Sequence, residues 1–244
     1  MLTMGGLLVV LAGGFAGGFV TGLAGFGTGL VALGFWLHVI EPAPAATLVA
    51  ICSVAAQAQT LPTIWHAVDR RRVWPMLAAG LLGVPLGTLL LTRVDIDIFR
   101  TCIGVFLIAF SAWMLFGRVN MQLRWGGRPA DAVAGFAGGI MGGLAGLSAP
   151  IPTVWATLRG WGRDERRSVF QTFNLTILAA VVAWHFLSGL SSDGLGVLVL
   201  TALPGTFAGA FLGARTYRRL SDRRFHALVL VLLAVSGVTL VVTS

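Results

Sequence analysis

Two short strings carry backbone chemistry that apolar segments do not ordinarily offer, Gly25-Phe-Gly27-Thr28-Gly29 and Gly146-Leu-Ser148-Ala149-Pro150. Glycine weakens a helix interior by about 1 kcal/mol relative to alanine, so each string predicts a helix break. A break leaves free N–H groups at the start of the next helix, where the positive end of its dipole also lies. An anion is the natural ligand of such an end, and glycine lets it approach the backbone closely. Pro150 suits a helix start, where its missing N–H costs nothing. On these grounds Gly25, Gly27, Thr28 and Gly29, with Gly146, Ser148, Ala149 and Pro150, are expected to bind a small anion.

Neutral polar side chains follow each break. Ser53 and Gln57 are four residues apart and Gln171 and Asn174 three apart, so each pair shares a helix face. Such groups either hydrogen-bond anion oxygens or tie neighbouring helices together, each tie worth about 0.6–2 kcal/mol. Gln59 lies on a different face from Gln57. His38, Arg159, His66 and His185 are weaker candidates, for an entrance or for a coupling proton. Their bland alternatives are snorkelling or aromatic-belt positions beside Trp65 and Trp184. No carboxylate falls deep in an apolar segment, which argues against a cation site or a carboxylate proton relay. Cys52 and Cys102 are isolated, without metal spacing, and are expected to be buried small hydrophobes. No catalytic residue, metal or cofactor is expected.

The elements that must hold these residues are membrane-spanning. The 244-residue chain is 57% hydrophobic and 11% charged, with a mean hydropathy of +0.89. Residues 2–40 contain no Asp, Glu, Lys or Arg, and a run longer than about 18 such residues reads as a membrane span. Only helices and closed barrels satisfy their backbone in lipid, and no strand-like alternation is present. Apolar segments fall near 5–21, 24–40, 44–66, 74–92, 99–116, 132–146, 149–161, 169–189, 195–214 and 225–243. The net charge of +8 comes from arginines between these segments, so it reads as a topology signal rather than nucleic-acid binding. The first basic residue is Arg70, so no signal peptide is expected.

The chain is also duplicated. At an offset of 121, residues 14–27 and 135–148 agree at nine of fourteen positions, which marks an internal repeat. The expected organisation is a first transmembrane repeat over 1–117, a linker over 118–131 and a second repeat over 132–244. Loop arginines alternate oppositely in the two copies. Residues 41–44 have none, 69–72 have three and the next loop has Arg93 and Arg100 beside Asp95 and Asp97. In the second copy 159–167 are rich, 189–194 have none and 215–224 are rich. Positive-inside then predicts inverted-topology repeats with both termini outside the plasma membrane. Residues 2–40 span about 58 Å as helix and 132–162 about 46 Å, so neither comfortably gives two crossings of about 30 Å. The fold class expected is an all-α polytopic membrane protein of about 8–10 membrane segments. Each repeat would be a broken or re-entrant glycine-rich hairpin followed by three helices. Upstream, Gly14, Gly18 and Gly22, like Gly135, Gly139 and Gly143, recur every four residues, the spacing of closely crossed membrane helices.

At the two strings the chain resembles the TauE/SafE sulfite exporter family, also called the toluene-sulfonate uptake permease family. Gly22-Leu-Ala-Gly25-Phe-Gly27-Thr28-Gly29 is similar to its first repeated motif, and Gly143-Leu-Ala-Gly146-Leu-Ser148-Ala149-Pro150 to its second. Arg166 to Asn174 resembles the start of the family's following helix. The resemblance runs over about residues 13 to 243. It departs where Thr28 interrupts a glycine triplet, where Ser148-Ala149 replaces two glycines, and where Leu30–Leu33 lack a usual proline. The resemblance implies transport of small sulfur-containing anions or related organic acids. The expected partners are a small anionic substrate and the bilayer, with a coupling proton, which the histidines could serve, left open. The expected function is secondary transport of sulfite or an organosulfonate by alternating access. A passive anion channel and an intramembrane enzyme are the alternatives. Substrate identity, direction and oligomeric state stay open.

Overall fold

The computed structural model describes residues 3–60, 70–116, 126–161, 163–190, 194–217 and 238. The order is α1 (Met4–Ala24), α2 (Thr28–Trp36), α3 (Pro42–Thr60), α4 (Arg70–Leu91), α5 (Ile96–Phe116), α6 (Gly127–Ala145), α7 (Pro150–Leu158), α8 (Arg163–Leu187) and α9 (Leu195–Tyr217). Everything regular among the described residues is helical. Among them, Met4–Ala24, Val73–Leu91, Ile96–Trp113, Ser168–Leu187 and Leu195–Thr216 are long and apolar enough to cross a membrane. Their outward faces carry large apolar side chains such as Leu82, Leu200 and Phe211. Patches of that kind suit lipid and not water.

The two nine-residue helices α2 and α7 are each about 14 Å long, half the hydrocarbon thickness. Each folds back along the helix before it. Trp36 Nε1 donates to the Val10 carbonyl at 3.0 Å, pinning the end of α2 to α1. Gly138 and Gly142 of α6 face Ser148, with Pro152 of α7 also against Gly138. The breaks need glycine. Gly25 (φ 82°) closes α1 by giving its N–H to the Thr21 carbonyl, Gly27 (φ 117°) opens α2, and Gly146 (φ 69°) closes α6. These left-handed conformations cost other residues about 1–2 kcal/mol.

The most extensive packing joins α1 to α9 and α4 to α6. Both contacts are glycine stripes. A methyl at Gly14 would stand 2.6 Å from the Ala202 carbonyl oxygen, and methyls at Gly18 and Gly22 would collide with the Thr206 and Ala210 backbones. On α6, Gly135, Gly139 and Gly143 lie against Met76, Gly80 and Val84 of α4 in the same way. The residue numbers rise together in both pairs, so α1 runs parallel to α9 and α6 parallel to α4. The cores follow this exchange. One centres on α1, α2, α3 and α5 and takes in Leu91, Ala145, Leu198 and Ala202, and the other centres on α4, α6, α7 and α8 and takes in Ala50 of α3.

Two local expectations change. Helix α6 already begins at Gly127, inside the polar stretch 118–131. Asp131 is therefore buried in a helix, 4% exposed, where its Oδ1 accepts the Trp155 indole N–H at 2.8 Å. A buried carboxylate needs such a partner, and the polar segment around it concealed the helix. Cys52 is buried as expected, but Cys102 is exposed. It sits on the outer face of α5, where lipid tolerates a thiol.

Candidate functional site

Both breaks open onto one cavity. It is lined by Phe26 to Leu30, Ser53, Gly146 to Pro150, and Asn174. Four elements position these residues. Gly27 starts α2 and Pro150 starts α7, so two helix N-termini face the same space. The first turn of α2 leaves the N–H groups of Thr28, Gly29 and Leu30 without intrahelical partners, and Val31 is the first to bond back, to Gly27. In α7 the Thr153 N–H is bonded to Ala149, and Pro150 and Pro152 have no N–H. The breaks touch: a methyl at Gly29 would lie 2.7 Å from Val49 Cγ1 and 3.2 Å from the Gly146 carbonyl oxygen. Phe26 packs edge-on against Phe170 with ring centroids 6.3 Å apart, which fixes the tip of the first break.

Polar side chains surround these ends. Thr21 Oγ1 and Thr28 Oγ1 are hydrogen-bonded at 2.6 Å across the first break. Ser148 Oγ donates to Asn174 Oδ1 across the second. Ser53 reaches the cavity from α3, and Asn174 from α8. Among the described lining residues there is no Arg, Lys, His, Asp or Glu. Among the described residues, no three His, Cys, Asp or Glu side chains group to hold a metal ion.

Of the residues expected to bind an anion, Gly27, Thr28, Gly29, Ser53, Gly146, Ser148, Ala149, Pro150 and Asn174 come together at this cavity. Gly25, Gln57 and Gln171 lie beside it. Gln57 Nε2 donates to the Ser53 carbonyl at 3.2 Å. Gln171 is 1% exposed, and its amide presses on Gly25. The outer candidates are dispersed. His38 is exposed just past α2, and the Arg159 guanidinium stands 5.7 Å over the Trp155 ring. His66 lies outside the described residues. His185 is not at an interface: it is fully buried. Its Nδ1 pairs with Thr47 Oγ1 at 2.8 Å and its Nε2 with the Gly143 carbonyl at 3.3 Å, joining α8 to α3 and α6. The neighbouring Trp184 is 40% exposed, as a belt residue would be. Thr21 and Thr47 were missed by sequence reasoning. A threonine within an apolar run gives no signal of its partner, although Thr21 lies seven residues before Thr28 in the repeated string.

Several apolar spans, lipid-suited outer faces and a polar cavity among broken helices define a multi-pass helical membrane protein. The family model described as Sulfite exporter TauE/SafE matches residues 10–240, and the chain belongs to that family of membrane transporters. It is similar to a Haemophilus influenzae protein described as "Probable membrane transporter protein". The two are 25% identical over 222 residues, covering 86% of this chain and 84% of the relative. No solved structure matches the chain.

Proposed function

We propose that the protein is a secondary transporter that carries a small anion, sulfite or an organosulfonate first among them, across the plasma membrane by alternating access. The observation that carries this is the cavity at which two helix N-termini and neutral donors meet, with no cationic or acidic side chain among the described lining residues. Helix ends and donors compensate an anion held there. Family membership supports transport and the sulfur-containing class, and makes an enzymatic role the poorer reading.

The arrangement of helices supports two inverted repeats, 1–117 and 132–244 about a linker, with α2 and α7 as re-entrant arms. Helices α3 and α8, equivalent under the offset of 121, run antiparallel. Thr47 near the start of α3 meets His185 near the end of α8, while Ser53 and Asn174 both reach the cavity. Repeats of opposite orientation require this. The parallel pairing of α1 with α9 also agrees with an extracytoplasmic N-terminus, since the last turn of α9 carries Arg215 and arginine marks the cytoplasmic side.

The test is transport in proteoliposomes. Labelled sulfite should exchange against internal sulfite saturably, at a turnover below about 10³ per second, and Asn174→Ala and Ser148→Ala should each slow exchange at least about tenfold. Conduction orders of magnitude faster would make the protein a channel. Wild-type exchange rates in both folded variants would remove the cavity from the pathway.

A further inference from the structure

We infer that the cavity selects a singly charged oxyanion and discriminates against its doubly charged counterpart; this rests on the cavity being the anion site. The first argument is a count of positive charge. None of the described lining side chains is cationic, so the compensation they leave to the backbone comes from the N-termini of α2 and α7. A helix end carries about half a unit charge, so two give about one. The sum has a ceiling from two directions. Pro150 and Pro152 deprive the first turn of α7 of donors. The C-terminal ends of α1 and α6 are capped at Gly25 and Gly146 and add no positive charge. A second negative charge would be desolvated without compensation, which is severely unfavourable.

The second argument is independent and concerns side chains. Ser53 is 2% exposed and lines the cavity, and its hydroxyl has no partner among the described residues. Asn174 is 4% exposed. Its Oδ1 accepts from Ser148, which turns its Nδ2 into the group left to serve a ligand, and Nδ2 has no partner among the described residues. Buried polar groups of this kind are ordinarily satisfied. With Ser148 committed to Asn174, this wall offers Asn174 N–H donors and the Ser53 hydroxyl to acceptor oxygens. These donors spread over several oxygens without adding net charge. The ligand class they fit is a compact monoanion with two or more acceptor oxygens, such as hydrogensulfite or a short alkylsulfonate, and not sulfite dianion or sulfate.

The experiment is thermal stabilisation of the purified full-length protein by methanesulfonate, sulfate and sulfite. Binding to the native state raises the unfolding temperature by an amount set by the ratio of ligand concentration to Kd, so the concentrations that give equal shifts compare affinities. Sulfate should need at least about tenfold more ligand than methanesulfonate for the same shift. For sulfite, the total concentration required should rise about tenfold per pH unit once hydrogensulfite has lost its proton. Methanesulfonate keeps its charge over that range, so the ratio of the two ligands removes any titration of the protein itself. Ser53→Ala and Asn174→Ala should each weaken the methanesulfonate effect. Sulfate binding as tightly as methanesulfonate, or a sulfite effect that holds or grows with pH, would overturn charge selection while leaving the cavity an anion site. Stabilisation by methanesulfonate that both variants retain in full would place the ligand elsewhere. No stabilisation by any of the three anions would remove the anion reading of the cavity itself.

Discussion

At the scale of single residues, glycines in the breaks answer to two different demands, conformation and space. Gly146 and Gly189 share nearly the same left-handed backbone, at φ 69° and 68°. A methyl at Gly189 meets nothing within 4 Å, whereas one at Gly146 runs into Val49. Gly189→Ala should therefore cost only the backbone term of about 1–2 kcal/mol. Gly146→Ala should cost more, by the strain of overpacking, about 1–3 kcal/mol further. Thermal unfolding of the two purified variants reads the difference directly; equal losses would mean that Val49 yields freely. Thr47→Val tests the buried histidine. It removes the hydroxyl facing His185 Nδ1 with little change of shape, and leaving that nitrogen without a partner should cost about 1–3 kcal/mol. The breaks were legible because glycine and proline are punctuation. The orientation of Gln57 toward its own helix and of Gln171 toward Gly25 was not, because helical spacing identifies a face but not the neighbour behind it.

At the scale of elements, the glycine stripes determine which helices pair. Every fourth residue on α1 and α6 is reduced to a hydrogen atom where α9 and α4 pass. Lipid tails compete with side chains as apolar partners, so close backbone approach and dispersion must hold such pairs together. Gly139→Val should force α6 off α4, since a methyl there already collides with the Gly80 backbone. The expected loss is at least about 1–3 kcal/mol, measured as a lower unfolding temperature in detergent. Gly196→Val, on α9 where nothing lies within 4 Å, should change stability far less. The repeated fours announced close packing in the sequence. Their partners were hidden, because α1 joins a helix nearly two hundred residues away and nothing in a periodicity names the other side of a contact.

At the scale of the whole molecule, the arginine distribution and the helix directions bear on the same topology. A reporter active only outside the cytoplasm, fused after Ser244, should be active, and one fused in the linker at residues 118–124 should be silent. The reverse result would invert the orientation proposed here. The two N-termini that meet at the cavity come from different halves of the chain, α2 from the first and α7 from the second. The site thus belongs to the assembled pair of halves, and neither half alone contains it.

Composition, charge-free length and the lack of strand-like alternation determined by themselves that this is a helical membrane protein, since apolar runs that do not alternate as barrel strands can satisfy their backbone in lipid only within helices. The repeated glycine strings also marked where the helices break, through the intrinsic cost of glycine and proline. Only the tertiary structure decided that both breaks face one cavity, that Ser53 and Asn174 arrive there with Gln57 and Gln171 beside it, and that His185 is an internal tie. Those facts depend on contacts between segments far apart in the chain, which are set by the packing of backbone against backbone and not by any local preference.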